Sequence, residues 1–549
     1  MHRSIIAALA VLVMAPAAHG QAPDLILTGG KVFTADSARP WAEAVAIRGD
    51  RIVAVGSTAE ISGLAGASTR RISLDGRVVI PGINDAHDHA GDAEFGVRFS
   101  ADPSPMPDPA FAAVLDSVRA VAARTPAGTW IRATIGARIL DDTAARRTAL
   151  DRAAPRHPVL LSAWTGHGAV LNTAALRAVR IPESARDSAG GWYERDASGR
   201  LTGAMHEYAQ WRVLQRLHSA SPDSAIVASL QRYAAGAAAM GITSVQIMNG
   251  YLDAPTTVRV LRQARLPIRV RAIPFSMTGS PAGAADEWRG VERNPAPKTV
   301  ISGVKWILDA TPIDRNAAMR QAYADRPGWH GRLNFPPDTI RAILAQALAS
   351  REQLMLHISG DSALPVLFSA MQSLAPDSVW RQLRVRIEHG DWLSGELLPV
   401  ARRLGVVLVQ NPTHLALDPD MLQARFGGAP AGLLPLRTVL AAGVPVAFGS
   451  DGPNNPFLNL MLATVHPTHP DEALTREQAV IAYTRGSAYA EFAEREKGTL
   501  APGMLADLAV LSQDIFSVPP PALPGTTSVL TLVGGRIMHD ELTRPLPRL

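Results

Sequence analysis

The stretch VVIPGINDAHDHA, residues 78–90, places an apolar run before a Pro81-Gly82 break and then sets Asp85, His87 and His89 at alternate positions. On an extended backbone, side chains two apart point to the same side, so both imidazoles reach one point just beyond the end of the apolar strand. That is a metal-ligand geometry, although two solvated histidines in a loop give the same pattern. Residues further along the chain favour the ligand reading, because His357, His389 and Asp451 each sit at the end of an apolar, strand-like run.

Outward from this stretch, the middle of the chain alternates β-like apolar runs with helix-like segments, which argues for parallel strands and crossover helices. Working back from Asp451, the runs are VPVAFGS (444–450), VVLVQ (406–410), RVRIEH (384–389), LMLHI (354–358), VISGVKWIL (300–308), IRVRAIPF (268–275), GITSVQIM (241–248) and RVVI (77–80). These eight runs, with polar residues at their C-terminal ends, predict an α/β fold with a (β/α)8 TIM-like barrel whose active site lies at that face. Residues from about 91 to 225 exceed one crossover and predict an inserted subdomain, although its apolar runs near 130 and 160 compete for places among the eight. Short alternating runs at 24–80, broken at Gly29-Gly30, Gly49-Asp50 and Asp75-Gly76, recur in texture at 507–512 and 528–540. They read as hairpins. The expected division is a leader at 1–20, an N-terminal portion of a small β-sandwich at 21–80, the barrel at 81–495, and the C-terminal portion of the same sandwich at 496–549.

The 549 residues, 47% hydrophobic and 19% charged, have ordinary globular composition. The net charge of +5 is small for this length, and no dense basic tract with interleaved aromatics marks a nucleic-acid partner. The absence of cysteine excludes disulfides, thiolate metal ligands and Cys nucleophiles, so a metal site must use nitrogen and oxygen donors. His2 and Arg3, the apolar run Ile5 to Val13 and Ala18-His19-Gly20 describe a secretory signal peptide, with an uncleaved anchor as the competing reading. No integral span is expected after its removal, and a cysteine-free exported chain fits a secreted or periplasmic location. Four lysines (Lys31, Lys298, Lys305, Lys497) stand against fifty arginines, so Lys305 inside the apolar ISGVKWIL asks for a reason.

At PGINDAHDHA (81–90), GVKWILDA (303–310), HISGDSA (357–363), RIEHGD (386–391) and GSDGPNNP (449–456) the chain resembles the amidohydrolase superfamily. Within it, the resemblance is to the YtcJ-like branch of metal-dependent hydrolases, which includes N-substituted formamide deformylases. The tail REKGTLAPGMLADLAVL (495–511) resembles the family's return into its β-sandwich. Each motif is weak alone, but their order and spacing span nearly all of the chain past the leader. The resemblance implies His87, His89 and Asp451 on the more buried metal, His357 and His389 on a second, and a carboxylated Lys305 bridging the two. A carbamate is an anionic oxygen ligand that arginine cannot supply. The alternative is Lys305 as a buried ammonium paired with Asp451 or Asp309, beside a single metal.

The resemblance also implies that His167, in SAWTGHGAVLNTAAL (162–176), contacts the substrate carbonyl or the tetrahedral oxyanion; a surface loop histidine is the competing reading. His206 and Glu207 in GRLTGAMHE (199–207) fall where the family has an acidic residue, or else form a salt bridge within the insertion. Arg386 is expected to pair with a strand neighbour. Gln246 and Ile247 stand where the family often has His-Asp, which should change the pocket's polarity there, and Asn454-Asn455 suggest an amide-rich entrance.

The implied activity is hydrolysis of a non-peptide C–N bond (amide, formamide or related) in a small-molecule substrate, using one or two divalent ions such as Zn2+. Such an ion lowers the pKa of a bound water from about 15.7 to about 7 and polarises the carbonyl. Asp451 then serves as base and acid in turn, unless it is a helix N-cap. A mononuclear deaminase of the same superfamily and an exported non-catalytic binding protein are the rival readings; six ligating residues favour catalysis. A homo-oligomer is left open. Mass spectrometry of the exported protein is expected to show an N-terminus near Gln21, and a full-length membrane-bound species would contradict the leader.

Overall fold

The computed structural model describes residues 21–104, 106–428 and 430–543, so the expected leader at 1–20 lies outside the described residues. Two parallel sheets form the centre. β1 (Ile83–Asp88), β2 (Ile242–Asn249), β3 (Arg269–Pro274) and β4 (Thr299–Ile301) lie in the order β4-β3-β2-β1. β5 (Val304–Ile307), β6 (Leu354–Ile358), β7 (Arg386–His389), β8 (Val407–Gln410) and β9 (Val446–Phe448) follow in sequence in the second sheet. All neighbours run parallel. Their near-continuous apolar sequences follow from burial on both faces, for every residue of β2, β6, β7 and β8 is buried.

The two sheets meet at both edges. β4 and β5 are one run broken at Ser302-Gly303, and Phe275, just past β3, bridges Lys305 in β5. At the other edge the Asp451 N–H donates to the His87 carbonyl at 2.9 Å, and the Ser450 N–H donates to Asp85 Oδ1 at 3.0 Å. Gly449 is required at this join, because a Cβ there would lie 2.4 Å from the His87 nitrogen. Between strands run helices such as Ala254–Ala264, whose N-cap Asp253 accepts the Thr256 N–H at 2.9 Å.

The first parallel strand differs from expectation. Val78–Pro81, read as RVVI at the start of the central set, pairs instead with Lys31–Phe33 and Leu508–Leu511 in a terminal sheet. The central strand is Ile83–Asp88 itself. The chain passes from one sheet to the other at Gly82, where a Cβ would meet Thr243 at 2.2 Å. INDAHD, expected as extended backbone just beyond the strand end, is itself a fully buried strand paired with β2.

The runs near 130 and 160 form Ile131–Ile135 and Val159–Ala163, which are neighbours in a separate six-stranded sheet with Val97–Phe99, Gly168–Leu171, Leu201–Glu207 and Gly191–Arg195. That sheet has its own buried cluster, including Val118, Ile131 and Leu161, so these runs are not central strands. At the termini, Leu25–Thr28, Ala44–Arg48, Arg51–Gly56 and Arg70–Ser73 form a four-stranded sheet. Leu508–Leu511, Ser528–Val533 and Arg536–Asp540 join Lys31–Phe33, Trp41–Ala42 and Val78–Pro81 in a six-stranded one. Leu27, Val45 and Ile47 of the first share a buried cluster with Val79, Val510 and Leu530 of the second. Among the described residues no helix is long and apolar enough to cross a membrane.

Candidate metal centre

The C-terminal ends of the central strands deliver the expected ligands to one place. His87, His89, Lys305, His357, His389 and Asp451 line a cavity of roughly 210 Å³ together with His167. His87 Nε2 lies 3.6 Å and His89 Nε2 3.4 Å from Asp451 Oδ1, and His389 Nδ1 lies 3.9 Å from Oδ2. Ligand atoms of His87, His389 and Asp451 fall within 4.8 Å of one another. The His357 ring completes the group, 4.4 Å from that of His389 and 4.8 Å from that of His167.

Lys305 reaches this cluster from β5 with 2% of its surface exposed. Burial lowers its pKa to about 8, against the pull of Glu388 and Asp451. Among the described residues it forms no hydrogen bond or ion pair, so the ammonium pairing with Asp451 or Asp309 that stood as the alternative is not made. Asp309 instead accepts the N–H groups of Ser359, Gly360 and Ala318 at 2.9, 2.7 and 3.0 Å.

A second layer orients the histidines. His87 Nδ1–H donates to Glu388 Oε2 at 2.6 Å, which leaves Nε2 facing Asp451. Arg386 grips both oxygens of Glu388, at 2.8 and 3.0 Å, and also reaches Gln246 of β2 and the Ala86 carbonyl of β1. Burial would raise the Glu388 pKa, but Arg386 and the His87 hydrogen bond bring it down to about 2. Burial, with Lys305 nearby, lowers His87 to about 4, so its imidazole is neutral and ligand-competent at neutral pH. His389 Nδ1–H donates to Asn411 Oδ1 at 2.9 Å. Burial opposes the charge on Asp451, but His87 and His89 outweigh it and hold the carboxyl well below its usual range.

The other expected residues divide. His167 is buried, not a surface loop residue: its Nδ1–H donates to Glu207 Oε1 at 2.8 Å, and Asn334 Nδ2 donates to the other oxygen at 2.9 Å. Burial alone would lower the His167 pKa, but the charge and hydrogen bond of Glu207 raise it to about 9. His206 is not the partner of Glu207; it stacks on Trp192 with centroids 4.9 Å apart. Arg386 finds its carboxylate two residues along its own strand and reaches other strands through Gln246 and the Ala86 carbonyl. Gln246 does not line the cavity; it is buried against Arg386, Asn84 and Ser487. Asn455 caps the helix Pro456–Val465, accepting the Phe457 and Leu458 N–H groups at 3.1 Å, so Asp451 is not that cap. Asp85, first of the alternating three, spends Oδ1 on the backbone N–H of Ser450 and of His87.

A dyad was missed. His414 stacks on His389 with centroids 5.0 Å apart, and its Nε2 faces Asp451 Oδ2 at 4.0 Å. Asp391 holds His414 Nδ1 at 3.2 Å. The signal was present, since Asp391 lies in the turn just beyond β7 and His414 in the 3-10 helix Pro412–Ala416 just beyond β8, at the face where such sites are built. Glu207, His389 and Asp451 have φ of 54°, 71° and 47°, left-handed conformations that cost about 1–3 kcal/mol each for such residues and persist where the surroundings enforce them.

With this geometry in place, likeness to known proteins is informative. The profile of the Amidohydrolase family matches residues 70–539. The chain belongs to this family. It is 25% identical to the Putative amidohydrolase YtcJ of Bacillus subtilis (strain 168), covering 93% of this chain and 99% of that protein. It is 27% identical to the N-substituted formamide deformylase of Arthrobacter pascens, over 95% and 99% of the two chains. These two relatives fit the YtcJ-like branch. An uncharacterized metal-dependent hydrolase from Pyrococcus horikoshii OT3 shares the fold with a TM-score of 0.69 at 19% identity, covering 90% of this chain and 99% of that one.

The buried Arg386–Glu388–His87 series yields a prediction. Glu388→Gln should fold and weaken metal affinity about 10–100-fold, the usual effect of disturbing an outer partner of a ligating histidine. Glu388→Ala, which strands the buried Arg386 charge, should destabilise the fold by about 3–5 kcal/mol. Metal titration and urea unfolding test the two.

Proposed function

We propose that this protein is a metal-dependent hydrolase of a non-peptide C–N bond in a small amide, formamide or related compound. The carrying observation is that, among the described residues, His87 Nε2, His89 Nδ1 and His357 Nε2 are buried without hydrogen-bond partners in a cavity that Asp451 and His389 also line. Leaving such groups unsatisfied costs about 1–3 kcal/mol each, a cost that coordination to a cation removes. The donors are nitrogen and oxygen alone, which suits zinc. His87, His89 and Asp451 would hold one ion, and His357 and His389 a second, with Lys305 between them. Lys305 is buried among imidazoles with no carboxylate in contact, which supports its carboxylation.

An ion bound there supplies a Lewis acid for the substrate carbonyl and lowers the pKa of the attacking water. Ionised Asp451 takes the proton of that water at its carboxylate oxygen and passes it to the leaving nitrogen. His167, kept protonated by Glu207, donates to the carbonyl oxygen as it gains charge. Trp164, Trp211, Tyr251, Ile313 and Leu433 wall the cavity, seat the apolar part of the substrate and exclude water.

The same reading extends to the fold. The joins at Phe275–Lys305 and Asp451–His87 support closure of both parallel sheets into one (β/α)8 barrel over 81–495, with the insertion near 91–225. The shared buried cluster supports a β-sandwich built from 21–80 and 496–549. Removal of residues 1–20 during export would place the protein in the periplasm or outside the cell.

Asp451→Asn is expected to fold and retain metal by elemental analysis while losing roughly 10²–10⁴-fold in turnover, the scale for a deleted general acid/base. Near-wild-type turnover would make Asp451 a ligand without a proton role, and absence of metal uptake by the wild type would sink the reading. Lys305→Ala should lose one metal equivalent and most activity, with partial rescue by short carboxylic acids; full activity would favour a single ion on His87, His389 and Asp451.

A further inference from the structure

The opposite ends of the strands carry a second concentration of charge. A recess of roughly 420 Å³ is lined by Arg269, Arg271, Lys298, Lys497 and Glu491, beside Thr299 and Val300 at the start of β4. Two of the four lysines in this arginine-dominated chain thus face one recess. The active site uses neither.

Charge balance shows what is missing. Arg269 is matched by Asp507 in a two-point pair at 2.7 and 3.1 Å, and Lys497 by Glu491 at 2.7 Å. The carboxylates that act on Arg271 through space, Glu491, Glu388 and Glu352, are already paired, with Lys497, Arg386 and Arg293. Among the described residues Arg271 and Lys298 have neutral hydrogen-bond partners only. Arg271 donates to Ser302 Oγ and Gln353 Oε1, both at 2.9 Å, and Lys298 to the Pro267 carbonyl at 2.9 Å. Arg271 is 5% exposed, and its Nη1 is buried with no hydrogen-bond partner among the described residues. A buried guanidinium with an idle N–H and no carboxylate bonded to it is a costly arrangement unless an acceptor completes it.

The geometry points to a binding site in this recess for a compact divalent oxyanion, such as hydrogen phosphate or sulfate, held between Arg271, Lys298 and Lys497. Two uncompensated cations match two negative charges, and a tetrahedral oxyanion offers enough acceptors for the idle guanidinium N–H and both ammonium groups. The site joins the starts of β3 and β4 to the C-terminal segment that carries Glu491 and Lys497. Its occupant would therefore fasten that segment to the central strands.

Calorimetry on the full, metal-loaded chain should show one equivalent of phosphate or sulfate bound, with no comparable signal from sodium chloride at matched ionic strength. Lys298→Gln should weaken that binding about tenfold or more, the scale of one charge-assisted hydrogen bond. It should leave metal content and the hydrolysis rate in anion-free buffer unchanged. Lys298→Arg, which keeps the charge, should bind more tightly than Lys298→Gln, and Arg271→Gln should abolish binding. Failure of both anions to bind beyond chloride would overturn the assignment. So would binding of undiminished affinity in Lys298→Gln, since that would place the anion elsewhere, including at the metal centre.

Discussion

A guanidinium, a carboxylate and an imidazole in series, Arg386, Glu388 and His87, sit at the centre of this protein with essentially no solvent contact. Taking charges out of water costs several kcal/mol per ion, and the arrangement holds only where nearly every donor and acceptor is satisfied. Here they are satisfied from three strands: Arg386 and Glu388 lie on β7, Ala86 and His87 on β1, and Gln246 on β2. A one-residue slip of β1 would flip its side chains and take the His87 imidazole and the Ala86 carbonyl away from the buried Arg386–Glu388 pair. The network therefore fixes strand register and, through the proton on His87 Nδ1, which nitrogen faces the cavity.

From that fixed point the chemistry is built outward. β1 ends beside the residue that comes after β9, so His87 and Asp451 are joined by a backbone hydrogen bond as well as by their side chains. Asp85 carries the same join on its carboxylate. Glu207, His389 and Asp451 occupy left-handed backbone at the points where the chain turns off a strand into the cavity. Such conformations are retained where surrounding contacts over-determine them. Each of the three then presents its side chain with little freedom to relax, which suits a site that must hold donors at fixed separations.

Much of this was legible because parallel strands buried on both faces write themselves as apolar runs, and a histidine or aspartate ending such a run stands out. LMLHI, RIEH and VAFGSD are read correctly for that reason. The misreadings share a cause: periodicity describes how a side chain meets solvent, not which distant group it meets. INDAHD reads as extended backbone beyond a strand, not as the central strand itself, because its polar atoms are answered by partners such as Glu388, 301 residues away. Gln246 looked like a pocket residue because its partner Arg386 is 140 residues off. The runs near 130 and 160 have the texture of central strands, and only their pairing with Val97–Phe99 and Gly168–Leu171 assigns them to another sheet.

The scarcity of lysine gains meaning once each one is placed. Lys31 is 61% exposed beside Asp514, a surface position where arginine would serve as well. The other three are in the interior or at its edge, and there the two cations differ: guanidinium is a planar fork suited to a carboxylate, whereas ammonium is a compact, reactive point charge. Lys497 fits between Ser244 Oγ at 2.8 Å and Glu491 at 2.7 Å. Lys305 fits among the imidazoles of the cavity, where a guanidinium fork would meet no carboxylate to receive it. Arg271 and Arg386, both inside the central strands, show the converse. Arg386 closes on Glu388 with two parallel hydrogen bonds, as its shape allows, whereas Arg271 leaves one nitrogen unanswered. The two ends of the same strands thus place lysine in different surroundings, beside imidazoles with no carboxylate bonded to it at one end and against Glu491 and Ser244 at the other.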